Sequence, residues 1–129
     1  MSRIRSENTK PEMLIRRFLF SQGLRYKIHD HSLPGKPDLV FPKFKTVVFI
    51  NGCFWHGHDG CKYFVLPKTR SEWWATKISK TTAKDAKNAK ILIERGWKVL
   101  VVWECELNSA LRDTTLKSLL EKIKTVNEF

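Results

Sequence analysis

Between Gly52 and Cys61 the chain places two thiols, two imidazoles and two adjacent large aromatics in ten residues, GCFWHGHDGC. Cys53, His58 and Cys61 follow a Cys-x4-His-x2-Cys spacing in which Gly57 and Gly60 supply turns, the short-range pattern of a metal knuckle. Cys105, just after a strongly apolar strand, can close a tetrahedral Cys3His zinc site, and that set uses every cysteine in the chain. Two other readings compete. A free cysteine is usually a small buried hydrophobe, and a disulfide would leave one thiol over from an odd count.

A chain of 129 residues, 42% hydrophobic, suits one domain whose modest core gains from a metal staple. No apolar run approaches a membrane span and no signal-peptide pattern stands out. The expectation is therefore a soluble cytoplasmic protein, where reduced thiols are free to bind zinc. Lys and Arg number 24 against 13 Asp and Glu, a formal charge of +11. That surplus argues for a polyanionic partner, most often nucleic acid, although solubility alone would also use it.

The pattern predicts a helix, three strands, the knuckle, two helices, a strand and a last helix. Thr9-Lys10-Pro11-Glu12 reads as a capping box with proline in the first turn, followed by an apolar face of Leu14, Ile15, Phe18 and Leu19 and a stop at Gly23. Leu24, Tyr26 and Ile28 alternate as in a half-buried strand. Residues 37–41 and 46–50 flank a Pro42-Lys43-Phe44-Lys45 turn as a hairpin, and the run Val47-Val48-Phe49-Ile50 makes its second strand central. Thr69 and Glu72 suggest a second capping box opening a helix through Trp73, Trp74 and Ile78. Another helix is expected from about Thr82 to Arg95, ended by Gly96. Residues 97–103 form a buried strand, and Leu116, Leu119, Leu120 and Ile123 mark a C-terminal helix within residues 109–129. No repeat, low-complexity segment or linker divides residues 1–129, which are read as a single domain.

In SLPGKPDLVF a turn rich in Pro and Gly delivers Asp38 to the start of a strand. A rigidly aimed carboxylate suits a hard divalent cation such as Mg2+. An Asx-type turn residue bonded to its own backbone explains it equally well. Glu12 is similarly double, since its capping role accounts for a glutamate there. Asp85 stands among Lys77, Lys80, Lys84, Lys87 and Lys90, where a solvated ion pair is the plain reading.

Taken together these segments resemble the very-short-patch-repair (Vsr) DNA mismatch endonucleases. The likeness runs through MSRIRSENTKPE, SLPGKPDLVFP, VVFINGCFWHGH, PKTRSEWWATKI, the Asp85 helix and GWKVLVVWEC, and stops near Ser109. It implies a restriction-endonuclease-like α/β fold, a PD-(D/E)xK variant with a mixed sheet flanked by helices and a structural zinc. It further implies a nuclease domain with a DNA-contacting arm at residues 1–10, nicking one strand at T:G mismatches left by 5-methylcytosine deamination. By the same resemblance Asp38 is the Mg2+-binding aspartate and Glu12 acts through metal-bound water. His56 handles protons with Asp85 as its acidic partner, and Cys53, His58, Cys61 and Cys105 hold zinc. Phe54, Trp55 and Trp74 are the aromatics that push into the base stack. A functional link to a DNA cytosine methyltransferase and to mismatch-repair proteins, a monomeric state and a bacterial cytoplasm shared with nucleoid DNA complete the expectation.

Two positions depart from the family pattern. Asn51 stands where a second active-site histidine is expected, and it can bond water or phosphate but not exchange a proton near neutral pH. The Asp59-Gly60 pair makes the stretch between His58 and Cys61 one residue longer, which Gly60 should absorb.

The residues make chemical sense without the family. Carboxylates at Asp38 and Glu12 can anchor a cation that neutralises phosphate charge, and an imidazole such as His56 can move the proton. His29 and His31 lie at a polar strand end and read as solvated. Phe54 and Trp55, on a loop held at both ends by zinc ligands, make a stiff wedge. Trp73 is read as core beside Trp74, as are Trp97 and Trp103. Arg3, Arg5, Lys62, Lys68, Arg70 and one helix face carrying Lys80, Lys84 and Lys87 offer phosphate contacts. The alternatives are a PD-(D/E)xK nuclease of other specificity and a zinc-stabilised DNA-binding module whose chemistry has lapsed.

Overall fold

A computed structural model describes residues 9–53, 56–58, 60–62 and 65–125. Three α-helices and four strands are described: α1 (Lys10–Ser21), β1 (Lys27–Ile28), β2 (Leu39–Phe41), β3 (Thr46–Asn51), α2 (Ser71–Glu94), β4 (Lys98–Trp103) and α3 (Arg112–Lys124). The sheet order is β1-β2-β3-β4, antiparallel except for the parallel pair β3 and β4, which α2 connects.

Side-chain alternation along the strands divides the core in two. Leu39, Phe41, Val48 and Val102 face Ile15 and Leu19 of α1 and Leu116, Leu119 and Ile123 of α3. The opposite residues Val40 and Val47 meet Leu92 of α2, with Phe49, Trp97 and Val99 packed around them. The result is a mixed sheet between helices whose inner strands β2 and β3 are apolar on both faces, which is why Leu39, Val40 and Phe41 are all buried. The 42–45 turn is a 310 turn closed by Lys45 in the left-handed region, and it joins β2 to β3 as a hairpin with β3 internal.

The first strand is shorter than its alternation suggests. Leu24 and Tyr26 pack on the core, but only Lys27 and Ile28 pair with β2, and Ile28 is exposed. The two helices expected around residues 71–95 are one. Thr81 and Thr82 donate their hydroxyls to the carbonyls of Lys77 and Ile78, so the threonine pair is absorbed inside the helix instead of ending it. The second capping box also fails, because the helix starts after Arg70, which adopts a left-handed φ of 58° and makes no side-chain cap. At the far end Lys98 donates to the carbonyls of Lys122 and Thr125, covering the exposed carbonyls at the end of α3 and tying it to the start of β4.

Candidate active site and metal centre

Two clusters of ligand atoms form, both where β3 and β4 end. Residues after the carboxyl ends of parallel strands fan outward from a common edge, the place where such sheets gather functional groups. Because β2 runs antiparallel to β3, its beginning lies at this same edge.

The turn before β2 uses Gly35 and Lys36 in the left-handed region, and a Cβ on Gly35 would come within 3.2 Å of Phe49 and Asn88. It leads to Asp38, whose Oδ2 accepts from the N–H of Ile50 at 2.7 Å. The Asx-turn reading is therefore replaced by a cross-strand bond. Burial, helped by the nearby charge of Glu12, pushes the Asp38 carboxyl up to about 6, against the opposing bond from Ile50. A carboxylate so placed is ionised far more readily with a cation beside it.

Glu12 keeps only half of its predicted cap. Its N–H donates to Thr9 Oγ1 at 3.4 Å, while its buried carboxylate turns away, to His29 Nε2 at 2.7 Å and Arg16 at 3.3 Å. His29 is thus no solvated residue: its side chain is 9% exposed. Its backbone takes a left-handed φ of 48°, and its N–H bonds the carbonyl of Asp38 at 3.2 Å. Ligand atoms of Glu12, His29 and Asp38 all lie within 4.8 Å of one another. His31 is exposed, as expected.

His56 follows β3, and Asp85 of α2 accepts from its Nδ1 at 2.6 Å. Thr82 Oγ1, one turn before Asp85, also lies 3.4 Å from the carbonyl oxygen of His56, sharing its hydroxyl proton with the nearer carbonyl of Ile78. The plain ion-pair reading of Asp85 fails, because its carboxylate fixes the His56 proton on Nδ1 and leaves Nε2 for exchange. His56 lies close enough to act electrostatically on Asp38. Asn51 ends β3 opposite Trp103 and is buried.

The second cluster is the predicted Cys3His set. Cys53, His58, Cys61 and Cys105 place their ligand atoms within 4.8 Å of one another, and none of the three cysteines is in a disulfide. The knuckle is built by His58 N–H to the Cys53 carbonyl at 2.9 Å and Cys61 N–H to the His58 carbonyl at 3.2 Å. Cys105 Sγ stands 3.4 Å from His58 Nδ1, against about 3.6 Å between S and N ligands of a tetrahedral zinc. Burial pushes the Cys53 thiol up to about 12 and raises Cys105, so the thiolates need a cation. Chemistry and spacing together fit a metal such as zinc. Gly60 has φ 73° and open space around it, consistent with a loop that accommodates the extra residue. The ring of Trp103 stacks on His58 at 4.1 Å, so Trp103 lines the knuckle instead of the core.

Of the aromatic candidates, Phe54 and Trp55 lie outside the described residues, as do Arg3 and Arg5. Trp73 is 44% exposed, with Arg70 and Lys77 over its ring, while Trp74 is half-buried and meets it edge-on at 4.8 Å. At 100° per residue Trp74 falls about 20° from Asp85 around α2, and Trp73 about 120° away. This reverses the expected packing of Trp73. Trp97 does pack, partly buried, in the second core cluster. Lys62, Lys68, Arg70, Lys80, Lys84 and Lys87 are all exposed. The stripe of Lys80, Lys84 and Lys87 lies roughly 100–160° around α2 from Asp85, beside the site and not within it.

A family profile described as DNA mismatch endonuclease Vsr matches residues 1–62. The type II nicking enzyme V.NmeAIP of Neisseria meningitidis is 50% identical over 125 residues, covering 96% of this chain and 89% of that protein. The type II nicking enzyme V.XorIIP of Xanthomonas oryzae is 43% identical over 94% of this chain and 89% of its own length. The DNA mismatch endonuclease Vsr of Escherichia coli is 41% identical over 95% of this chain and 79% of its own length.

Proposed function

The chain belongs to the Vsr family of DNA mismatch endonucleases, and from that premise we propose that it nicks one strand of duplex DNA at T:G mismatches produced by deamination of 5-methylcytosine. The observation that carries this reading is the convergence of Asp38 and Glu12, from different elements, at the sheet edge where His56, engaged by Asp85, follows β3. Cleaving a phosphodiester requires charge neutralisation, an aligned water and a proton carrier, and this arrangement has residues for each.

Asp38 and Glu12 hold Mg2+. When bound, Mg2+ supplies Lewis-acid neutralisation of the phosphate charge. Asp38 is held in place by the Ile50 N–H, so its aim does not depend on the substrate. His56 exchanges the proton through Nε2, with Asp85 fixing the ring. Asn51 orients water or phosphate. The products carry a 5′-phosphate and a 3′-hydroxyl. Cys53, His58, Cys61 and Cys105 would hold structural Zn2+, and Phe54 and Trp55 follow the first of these ligands in sequence. These two and Trp74 enter the base stack, where a mismatched step resists unstacking less than a paired one. Arg3, Arg5, Lys62, Lys68, Arg70 and the α2 lysines take phosphates.

The mixed sheet between helices supports a restriction-endonuclease-like assignment. No described helix is long and apolar enough to cross a membrane. The proposed setting is a monomeric enzyme working on nucleoid DNA in a bacterial cytoplasm. There it would follow a DNA cytosine methyltransferase, alongside mismatch-repair proteins. The test is a nicking assay with Mg2+ on end-labelled duplexes carrying each mismatch. The T:G strand should be cut and the perfect duplex spared; equal cutting of all duplexes would overturn the specificity.

A further inference from the structure

The imidazole of His29 has no part in the activity as derived above, yet it is built into the carboxylate centre. Three observations place it there. Its backbone adopts a left-handed φ of 48°, a conformation a residue with a side chain rarely takes without compensation. Its N–H bonds the Asp38 carbonyl, which extends the β1–β2 ladder by one step and makes His29 the cross-strand neighbour of Asp38. Its Nε2 lies 2.7 Å from Glu12 Oε2, and Nε2 and one oxygen from each carboxylate fall within 4.8 Å of one another.

Two donors on adjacent octahedral positions, each about 2.1 Å from a cation, stand about 3 Å apart. The 2.7 Å separation of Nε2 and Oε2 is close to that spacing. We propose that His29 is a third protein donor to the divalent cation at Glu12 and Asp38, making an oxygen-oxygen-nitrogen set that favours Mn2+ relative to Mg2+. An imidazole nitrogen is a softer donor than a carboxylate oxygen, so it shifts preference away from Mg2+ and toward transition metals. This rests on the reading of Glu12 and Asp38 as cation ligands.

The test uses the zinc-loaded protein with Mn2+ as the probe, read by pulsed electron paramagnetic resonance for nitrogen coupling and by equilibrium titration for affinity. Wild type should show a 14N coupling to Mn2+ that converts to 15N when the histidines are labelled. The coupling should persist in His56→Gln and vanish in His29→Gln, whose Mn2+-over-Mg2+ preference should fall by about tenfold, the scale of losing one supporting group at a metal site. Wild type with bound Mn2+ and no nitrogen coupling would overturn the proposal whether or not His29→Gln folds. So would a coupling lost in His56→Gln instead. Asp38→Ala separates the two levels: if that variant binds Mn2+ as wild type does, the carboxylate centre itself is wrongly assigned and the proposal falls with it. If Asp38→Ala loses Mn2+ while wild type shows no nitrogen, only the role of His29 fails.

Discussion

His56 and Asn51 stand on the same segment with different chemical means. His56 can carry a proton and is oriented by Asp85; Asn51 can only donate or accept a hydrogen bond. His56→Ala is therefore expected to slow nicking by roughly 100-fold or more, the usual scale of general acid–base catalysis, and Asn51→Ala much less. Single-turnover rates on a T:G duplex check this, and equal losses would make position 51 a direct participant. The same residues show what local sequence can and cannot reveal. The Thr9–Glu12 pattern correctly marked a helix start, but the destination of the Glu12 carboxylate is His29, in a different element. No short-range pattern could place it. His29 was misread for the same reason, since its polar neighbours say nothing of a backbone turn that brings it to Asp38. Trp73 reads as core from the sequence yet is exposed, because either of two neighbouring helix residues can face inward until the position of Asp85 around α2 is known.

At the level of elements, the strand ends matter most. Cys53 follows β3 and Cys105 follows β4, so the Cys3His cluster joins two parallel neighbours at the edge where Asp38 and His56 also lie. The clustering of its four residues was legible because spacing and turn residues occur together within one segment, and the fourth was the last cysteine left. Cys105→Ala is expected to lose the metal and to unfold or aggregate, since a structural zinc contributes on the order of 10 kcal/mol to the folding of small sites. Zinc content per chain and thermal unfolding check this, and a fully folded, zinc-free wild type would contradict it. The hairpin of β2 and β3 was also legible, from two apolar runs around a proline turn. The continuity of α2 was not, because a threonine pair is a weak helix former on propensity alone and its hydroxyls find carbonyls only once the helix exists. The shortness of β1 likewise depends on pairing with β2.

Across the whole molecule the formal charge is +11, and α2 contributes a stripe of exposed lysines, Lys80, Lys84 and Lys87, on a different face of the helix from Asp85. Phosphate contacts from such a stripe supply affinity with little sequence information. Replacing Lys80, Lys84 and Lys87 by Gln is expected to reduce the slope of log affinity against log salt by about 2 to 3. Discrimination between T:G and T:A duplexes should be left nearly unchanged. Binding isotherms over a range of salt check both, and an unchanged slope would place the DNA on another face. The division between binding and cutting is the centre of the account, and Asp38→Ala tests it most directly. Nicking of an end-labelled T:G duplex in Mg2+ should disappear while binding to the same duplex stays close to wild type, because the substitution removes a cation anchor and no DNA contact. Cleavage by Asp38→Ala at a rate near wild type would contradict the account and put the cutting centre elsewhere.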